Sequence, residues 1–157
     1  MQDVLAGIRV VEVASWTFVP ISGAVLSEWG ADVIKIEHPA SGDPQRGLIS
    51  SGLIPGAGDV NFMFEIPNRG KRSVGLDIST DEGRELLYRL VETADVFVTN
   101  YLPDVRKRLG IDIDDIRTRL GLGCRHVTTL PSSRRSRWRR RSHRGRNDAP
   151  WSGSRSR

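Results

Sequence analysis

Cysteine is nearly absent from this chain. Cys124 is the only one in 157 residues, so no internal disulfide can form, and a reducing compartment, the cytoplasm, is the simplest expectation. Long apolar runs are missing as well. Nothing approaches the roughly 18 consecutive apolar residues of a spanning helix. Met1-Gln2-Asp3-Val4 also lacks the basic start and apolar centre of a secretory leader, so no membrane partner is expected. Phosphate-cradling loops are lacking too. There is no G-x-G-x-x-G, which argues against an ordinary dinucleotide enzyme. Gly70-Lys71 has Glu65, not glycine, five positions before Gly70, which excludes a Walker loop. Cys124 and His126 make half a metal site at best, so no metal is expected.

Lysine is absent from residues 125–157, which hold eleven Arg and a single acid, Asp148, for a formal charge of +10. Because the whole chain carries +5, residues 1–124 must carry −5. The basic balance thus belongs to one end and says nothing about the partners of the rest. Beyond Leu130 only Trp138, Ala149 and Trp151 are apolar, too little burial to offset ordering entropy. We place a boundary at residues 120–125 and expect 121–157 to be a disordered Arg/Ser-rich tail. Three readings of it stand. It is a basic arm that binds nucleic acid without sequence preference, with tryptophans for stacking; or a linker; or a stretch translated out of frame from a GC-rich gene, which yields this Arg, Ser, Gly, Pro and Trp mixture. The last accounts for most of these features.

The first 120 residues have a different texture. Ile8-Arg9-Val10-Val11-Glu12-Val13-Ala14 reads as a strand. From Pro20 the period changes, with Ile21, Ala24, Val25 and Trp29 at helical spacing and Gly30 closing the end. Asp32-Val33-Ile34-Lys35-Ile36-Glu37 is a second strand that breaks at His38-Pro39. A helix between two strands makes a right-handed βαβ crossover with parallel, adjacent strands. A long loop follows to Asn61, then a short strand over Ser73–Asp77. Ser79-Thr80-Asp81-Glu82 has the spacing of a capping box. The helix after it should bury Leu86, Leu87, Leu90, Val91 and Ala94. Asp95–Thr99 is another buried strand, ended by Asn100. A turn or two closed by Gly110 and an acid-capped helix over Asp112–Arg119 complete the pattern. The expectation is an α/β fold with a parallel sheet and flanking helices. Its ligand site should lie beyond the carboxyl ends of the strands.

Leu5-x-Gly7-x-Arg9-Val10-x-Glu12, Gly30 to Glu37 with Pro39, Gly42-Asp43, Asn68 to Ser73, Leu76-Asp77 and Ala94-Asp95-Val96 through Asn100 to Gly110 together resemble the N-terminal part of the class III CoA-transferase family. That family includes formyl-CoA transferases, carnitine CoA-transferases and α-methylacyl-CoA racemases. The resemblance implies a Rossmann-like large domain, of which residues 1–120 are a part, within an interlocked homodimer that this chain is not expected to form. It implies coenzyme A as ligand, with an acyl-CoA and a carboxylic acid as substrates. His38 would stand where members place a basic side chain for the CoA phosphates, and such a contact weakens as an imidazole loses its proton. Leu76 would flank the adenine, and Asn100 and Arg108 would contact the nucleotide portion. For the last two the competing explanation is purely structural, strand capping by Asn100 and helix solvation by Arg108.

The family's aspartate nucleophile, and the His and acid of its racemases, fall beyond the resembling stretch. No catalytic role is carried onto His126 or Asp148. The reading is a truncated or frameshifted class III CoA-transferase, inactive alone, that keeps much of the CoA-binding face. The alternatives are a racemase-type member, or a small CoA-binding or nucleic-acid-binding module with a basic arm.

Overall fold

A computed structural model describes residues 3–53 and 60–119, together with the backbone of 126–129. Its centre is a five-stranded sheet in the order β3-β2-β1-β4-β5, formed by β1 (Arg9–Val13), β2 (Asp32–Glu37), β3 (Arg72–Gly75), β4 (Val96–Thr99) and β5 (His126–Thr129). Every pairing is parallel, as helical crossovers require. The order reverses between β1 and β4, so a crevice opens beyond their carboxyl ends.

Alternation along the strands sorts the two faces. Val11, Val13, Ile34, Ile36 and Phe97 point to one side and pack with Leu87 and Val91 of α4 (Asp81–Val91) and Ile116 of α6 (Ile113–Arg119). Val10 and Val33 point to the other side, with Leu26 of α1 (Phe18–Glu28), Val96 and Val98. This second face also receives Glu12 and Lys35, direct neighbours in the β1–β2 register. α3 (Phe62–Asn68) packs on α1 over it. The loop after β2 carries a 3-10 turn (Pro44–Arg46) and the single-turn α2 (Gly47–Ser50). α5 (Pro103–Leu109) follows β4.

Several expectations need correction. The cap of α4 is Thr80, whose hydroxyl accepts from Gly83 N at 3.1 Å. Ser79 is drawn away because its hydroxyl donates to Asp77 Oδ1 at 2.6 Å, so no capping box forms. On the buried side of α4, Tyr88 takes a place expected for Leu86, which is 43% exposed. α1 begins at Phe18 and buries Val19, Pro20, Gly23 and Ala24, while Trp29 stays half exposed. The short third strand spans Arg72–Gly75, and α3 occupies a stretch without periodicity. β5 falls inside the segment expected to be tail and pairs with β4 from Val96↔His126 to Thr99↔Thr129. The Arg-rich residues after it lie outside the described residues, as does Cys124.

Gly30 does close α1, in the left-handed region at φ 96°, and Gly110 closes α5 at φ 67°. Among the described residues no helix is long and apolar enough to cross a membrane, and no cluster of His, Cys, Asp and Glu is arranged to hold a metal ion.

Candidate functional site

A cleft of about 170 Å³ opens beyond the carboxyl ends of β1, β2 and β3. Val13 and Ile36 come from the strand ends, Leu76, Ile78 and Leu109 supply apolar walls, and His38 and Asp77 contribute polar groups. His38 Nδ1 accepts from the amides of Ala40 (3.2 Å) and Ser41 (3.3 Å). The ring proton therefore sits on Nε2, which faces Asp77 Oδ2 at 3.5 Å. Both hydrogen bonds from Ser79 to Asp77, with the nearby imidazole, hold that carboxyl below its ordinary 3.8. Leu76 is anchored by its amide, which donates to Glu37 O at 2.9 Å.

The other carboxylate lining this cleft is fully engaged. Glu37 receives a two-pronged grip from Arg46 at 2.8 and 2.9 Å, the Asp43 amide at 3.0 Å and the Ser73 hydroxyl at 3.2 Å. Burial pushes its pKa up, but the Arg46 guanidinium and the Asp43 amide outweigh it, so the carboxyl lies below its ordinary 4.5. Arg46 also stacks over the Phe64 ring, 3.8 Å from the centroid.

The structure brings His38 and Leu76 together in one cleft and does not bring Asn100 into it. Asn100 stands at the β1–β4 crevice, where its Oδ1 accepts from Ser15 N at 3.2 Å and its Nδ2 donates to Ser15 O at 2.7 Å. Arg108 is exposed on the last turn of α5, next in sequence to the cleft residue Leu109. Its guanidinium has no hydrogen bond or ion pair among the described residues.

Sequence reasoning missed the charged cluster beneath these loops. Lys71 Nζ donates to both oxygens of Glu12 (2.9 and 2.8 Å) and to Pro20 O at 2.8 Å. Lys35 Nζ lies 3.4 Å from Glu12 Oε1, donates to Ala14 O at 2.9 Å, and stands 2.9 Å from Asp43 Oδ2. All four side chains are at most 2% exposed. Burial pushes the Glu12 carboxyl up against the pull of both lysines, and pushes the Lys71 ammonium down against the pull of Glu12. A Cβ at Gly23 would sit 2.0 Å from Glu12 Oε2, so α1 reaches this cluster only because it carries glycine there. The available signal was a lone charge inside each of two apolar strands, Glu12 and Lys35, which strand register places side by side.

Asp43 extends this cluster to the loops. Its Oδ1 accepts from Trp16 N at 3.2 Å and from Gln45 N at 3.0 Å. Trp16 has φ 68° and is the sole non-glycine residue in the left-handed region among those described. A bulky side chain there costs about 1–3 kcal/mol, which the surrounding contacts must offset.

Relatives carry the same arrangement of sequence. The (R)-2-hydroxy-4-methylpentanoate CoA-transferase of Clostridioides difficile is 39% identical over 113 residues, 72% of this chain and 28% of that protein. The succinate–glutarate CoA-transferase of Agrobacterium fabrum is 40% identical over 116 residues, again 72% of this chain and 29% of its own length. The chain thus spans under a third of the curated relatives it matches. Among solved structures, Rv3272 from M. tuberculosis superposes with a TM-score of 0.63 at 34% identity, covering 73% of this chain and 29% of that one. A CAIB/BAIF family protein from Brucella suis gives 0.63 at 38% identity, with 73% and 30% covered. Residues 5–120 match the family described as CoA-transferase family III, and the chain belongs to that family.

Proposed function

We propose that this chain supplies the coenzyme A-holding face of a CoA-transferase that moves CoA between an acyl-CoA and a carboxylic acid. The observation that carries this reading is the cleft at the strand ends, apolar along Leu76, Ile78 and Leu109, with the guanidinium of Arg108, unpaired among the described residues, one residue from Leu109. Leu76 flanks the adenine, and Arg108 takes phosphate oxygens with its planar fork. His38 offers Nε2–H, but the carboxylate of Asp77 stands 3.5 Å away and repels an anion there, so the phosphate charge falls mainly to Arg108. Asn100 serves the site by holding the loop after β1.

The covalent chemistry falls outside the described cleft. Each carboxylate lining the described cleft is committed, Glu37 to Arg46 and Asp77 to Ser79, and neither is free to attack a thioester. The chain alone therefore holds CoA without completing the transfer. The acyl substrate is not chosen by similarity, since the names of the two relatives divide between a branched hydroxy acid and dicarboxylates.

Calorimetric titration of the purified chain with CoA tests the binding. Arg108→Ala should weaken it about tenfold, the loss of one charge-assisted contact. An unchanged affinity, or none in the parent, overturns the assignment. Transfer of CoA from an acyl-CoA to a free carboxylate by the chain alone would overturn the claim that chemistry lies outside it.

A further inference from the structure

A second hollow of about 270 Å³ adjoins the cleft, and Tyr101 lines both. Ser15, Trp16, Pro44, Asn100, Leu102 and Val105 form the rest of its wall. It lies where the strand order reverses between β1 and β4, the position at which open α/β sheets receive ligands. No charged side chain lines it among the described residues. The nearest cluster of buried ammonium groups, Lys35 and Lys71, is committed to Glu12 and Asp43. The one side-chain amide, Asn100, uses its oxygen and its nitrogen on Ser15. An uncharged, apolar group suits this hollow.

Its wall depends on a backbone that does not hold itself. Trp16 is left-handed, and such a conformation in a bulky residue persists only where its surroundings fix it. Asn100 grips the preceding residue, and Asp43 Oδ1 accepts from the Trp16 amide itself. Asp43 is in turn fixed by its own amide on Glu37 and by Lys35. We propose that Asp43 is a positioning residue of the ligand site: its carboxylate oxygen holds Trp16 in the left-handed conformation and so shapes the switch-point hollow for the apolar acyl group of an acyl-CoA. This rests on the reading of the adjoining cleft as a CoA site.

The test separates the oxygen that Asp43 offers Trp16 from the charge it offers Lys35. Lys35→Met/Asp43→Asn and Lys35→Met/Asp43→Ala have the same charge balance and leave the Glu12–Lys71 pair intact. They differ in whether residue 43 keeps an acceptor oxygen. Isovaleryl-CoA, succinyl-CoA and CoA are titrated calorimetrically into each variant and into the parent chain.

In the parent, isovaleryl-CoA should bind about tenfold tighter than CoA, as burial of one or two methylene equivalents implies, and succinyl-CoA no tighter than CoA. The Asn variant should keep the isovaleryl-to-CoA ratio within about twofold, and the Ala variant should bring it near one, although urea midpoints fall in both. A structural role alone would move both variants together. Equal ratios in the two variants, or a parent that prefers succinyl-CoA, overturn the proposal while CoA binding stands. Failure of the parent to bind any of the three overturns the CoA reading and this inference with it. If the Ala variant does not fold, the parent's preference and its retention in the Asn variant still decide the outcome.

Discussion

Replacing Lys71 by Met should be among the most damaging substitutions in this chain, although Lys71 lies in a turn. Its ammonium makes three contacts shorter than 3 Å, two to Glu12 and one to Pro20 O, and a longer one of 3.3 Å to Asn68 Oδ1. Methionine has a similar stem and no donor. Glu12 would then keep only Lys35, 3.4 Å away and shared with Asp43, while its own side chain is 0% exposed. Breaking a buried pair from one side costs about 3–5 kcal/mol, a large part of the roughly 5–15 kcal/mol that holds a domain of this size. Glu12→Gln should cost a similar amount, because it leaves two ammonium groups facing Asp43 alone. The double variant Glu12→Gln/Lys71→Met should recover most of the loss, since Lys35 and Asp43 remain a balanced pair at 2.9 Å. With single losses of about 3–5 kcal/mol each, such a recovery corresponds to a coupling energy above about 3 kcal/mol, at or beyond the upper end for contacting residues. Urea unfolding followed by circular dichroism measures it, with unchanged m-values showing that the same surface is exposed. A Lys71→Met loss below about 1 kcal/mol, or a double variant as unstable as the sum of the singles, would refute the view that these charges need one another.

Two further outcomes follow from the observed geometry. Thr80→Ala should cost about 1 kcal/mol by removing the cap of α4, and Ser79→Ala clearly less, since Ser79 is itself exposed and bonds Asp77 instead of the helix; thermal melts giving the reverse order would restore the capping box at Ser79. The Glu37 carboxyl lies below its ordinary 4.5, so its contribution to stability is fully present above that value and is lost as pH falls through the folded one. The urea midpoint should therefore decline below about pH 4.5, less steeply in Glu37→Gln. Glu12, whose carboxyl is pushed up, acts in the opposite sense and is common to both proteins, so identical slopes would show that Glu37 is not responsible.

What could be read from the chain was whatever depends on neighbours in sequence. β1, β2 and β4 announce themselves as β-branched runs, and Gly30 and Gly110 mark helix ends because only a residue without Cβ enters the left-handed region freely. The cap of α4 sits one residue beyond the expected Ser79 because Asp77, outside the capping motif, competes for the Ser79 hydroxyl. β5 escapes notice because its four residues, His126 to Thr129, sit beside an Arg-rich stretch whose composition dominates any window. The site divides in the same manner. His38 and Leu76, named on the family resemblance, directly follow the ends of neighbouring strands and line one cleft. The Asn100 grip on Ser15 spans 85 positions and the Asp43 contact with Trp16 spans 27, and no local pattern encodes either. Arg108 carries a different signal, visible only in three dimensions. Among the described residues its guanidinium is unpaired, as are those of Arg89 and Arg117, whereas Arg9, Arg46, Arg69, Arg72, Arg84, Arg106 and Arg119 are paired with acids; what sets Arg108 apart is its place next in sequence to the cleft residue Leu109.

The two ends of the sheet use charge for different purposes. At the amino end Asp32 pairs with Arg9 and Arg72 across partly exposed surfaces, where solvent screening leaves little net stabilisation. At the carboxyl end Glu12, Lys35, Asp43 and Lys71 are buried, and the displaced pKa values of Glu12 and Lys71 show desolvation outweighing attraction. Such a cluster is a poor way to stabilise a core, and apolar residues of the same volume would serve at least as well. It does something apolar packing cannot, because hydrogen bonds have direction. Through Lys35 on Ala14 O, Asp43 on Trp16 N and Lys71 on Pro20 O, it fixes the start and the strained middle of the β1–α1 connection and the first turn of α1. The energetic cost is therefore concentrated beneath the loops that shape the crevice, where geometry rather than stability decides which ligand fits.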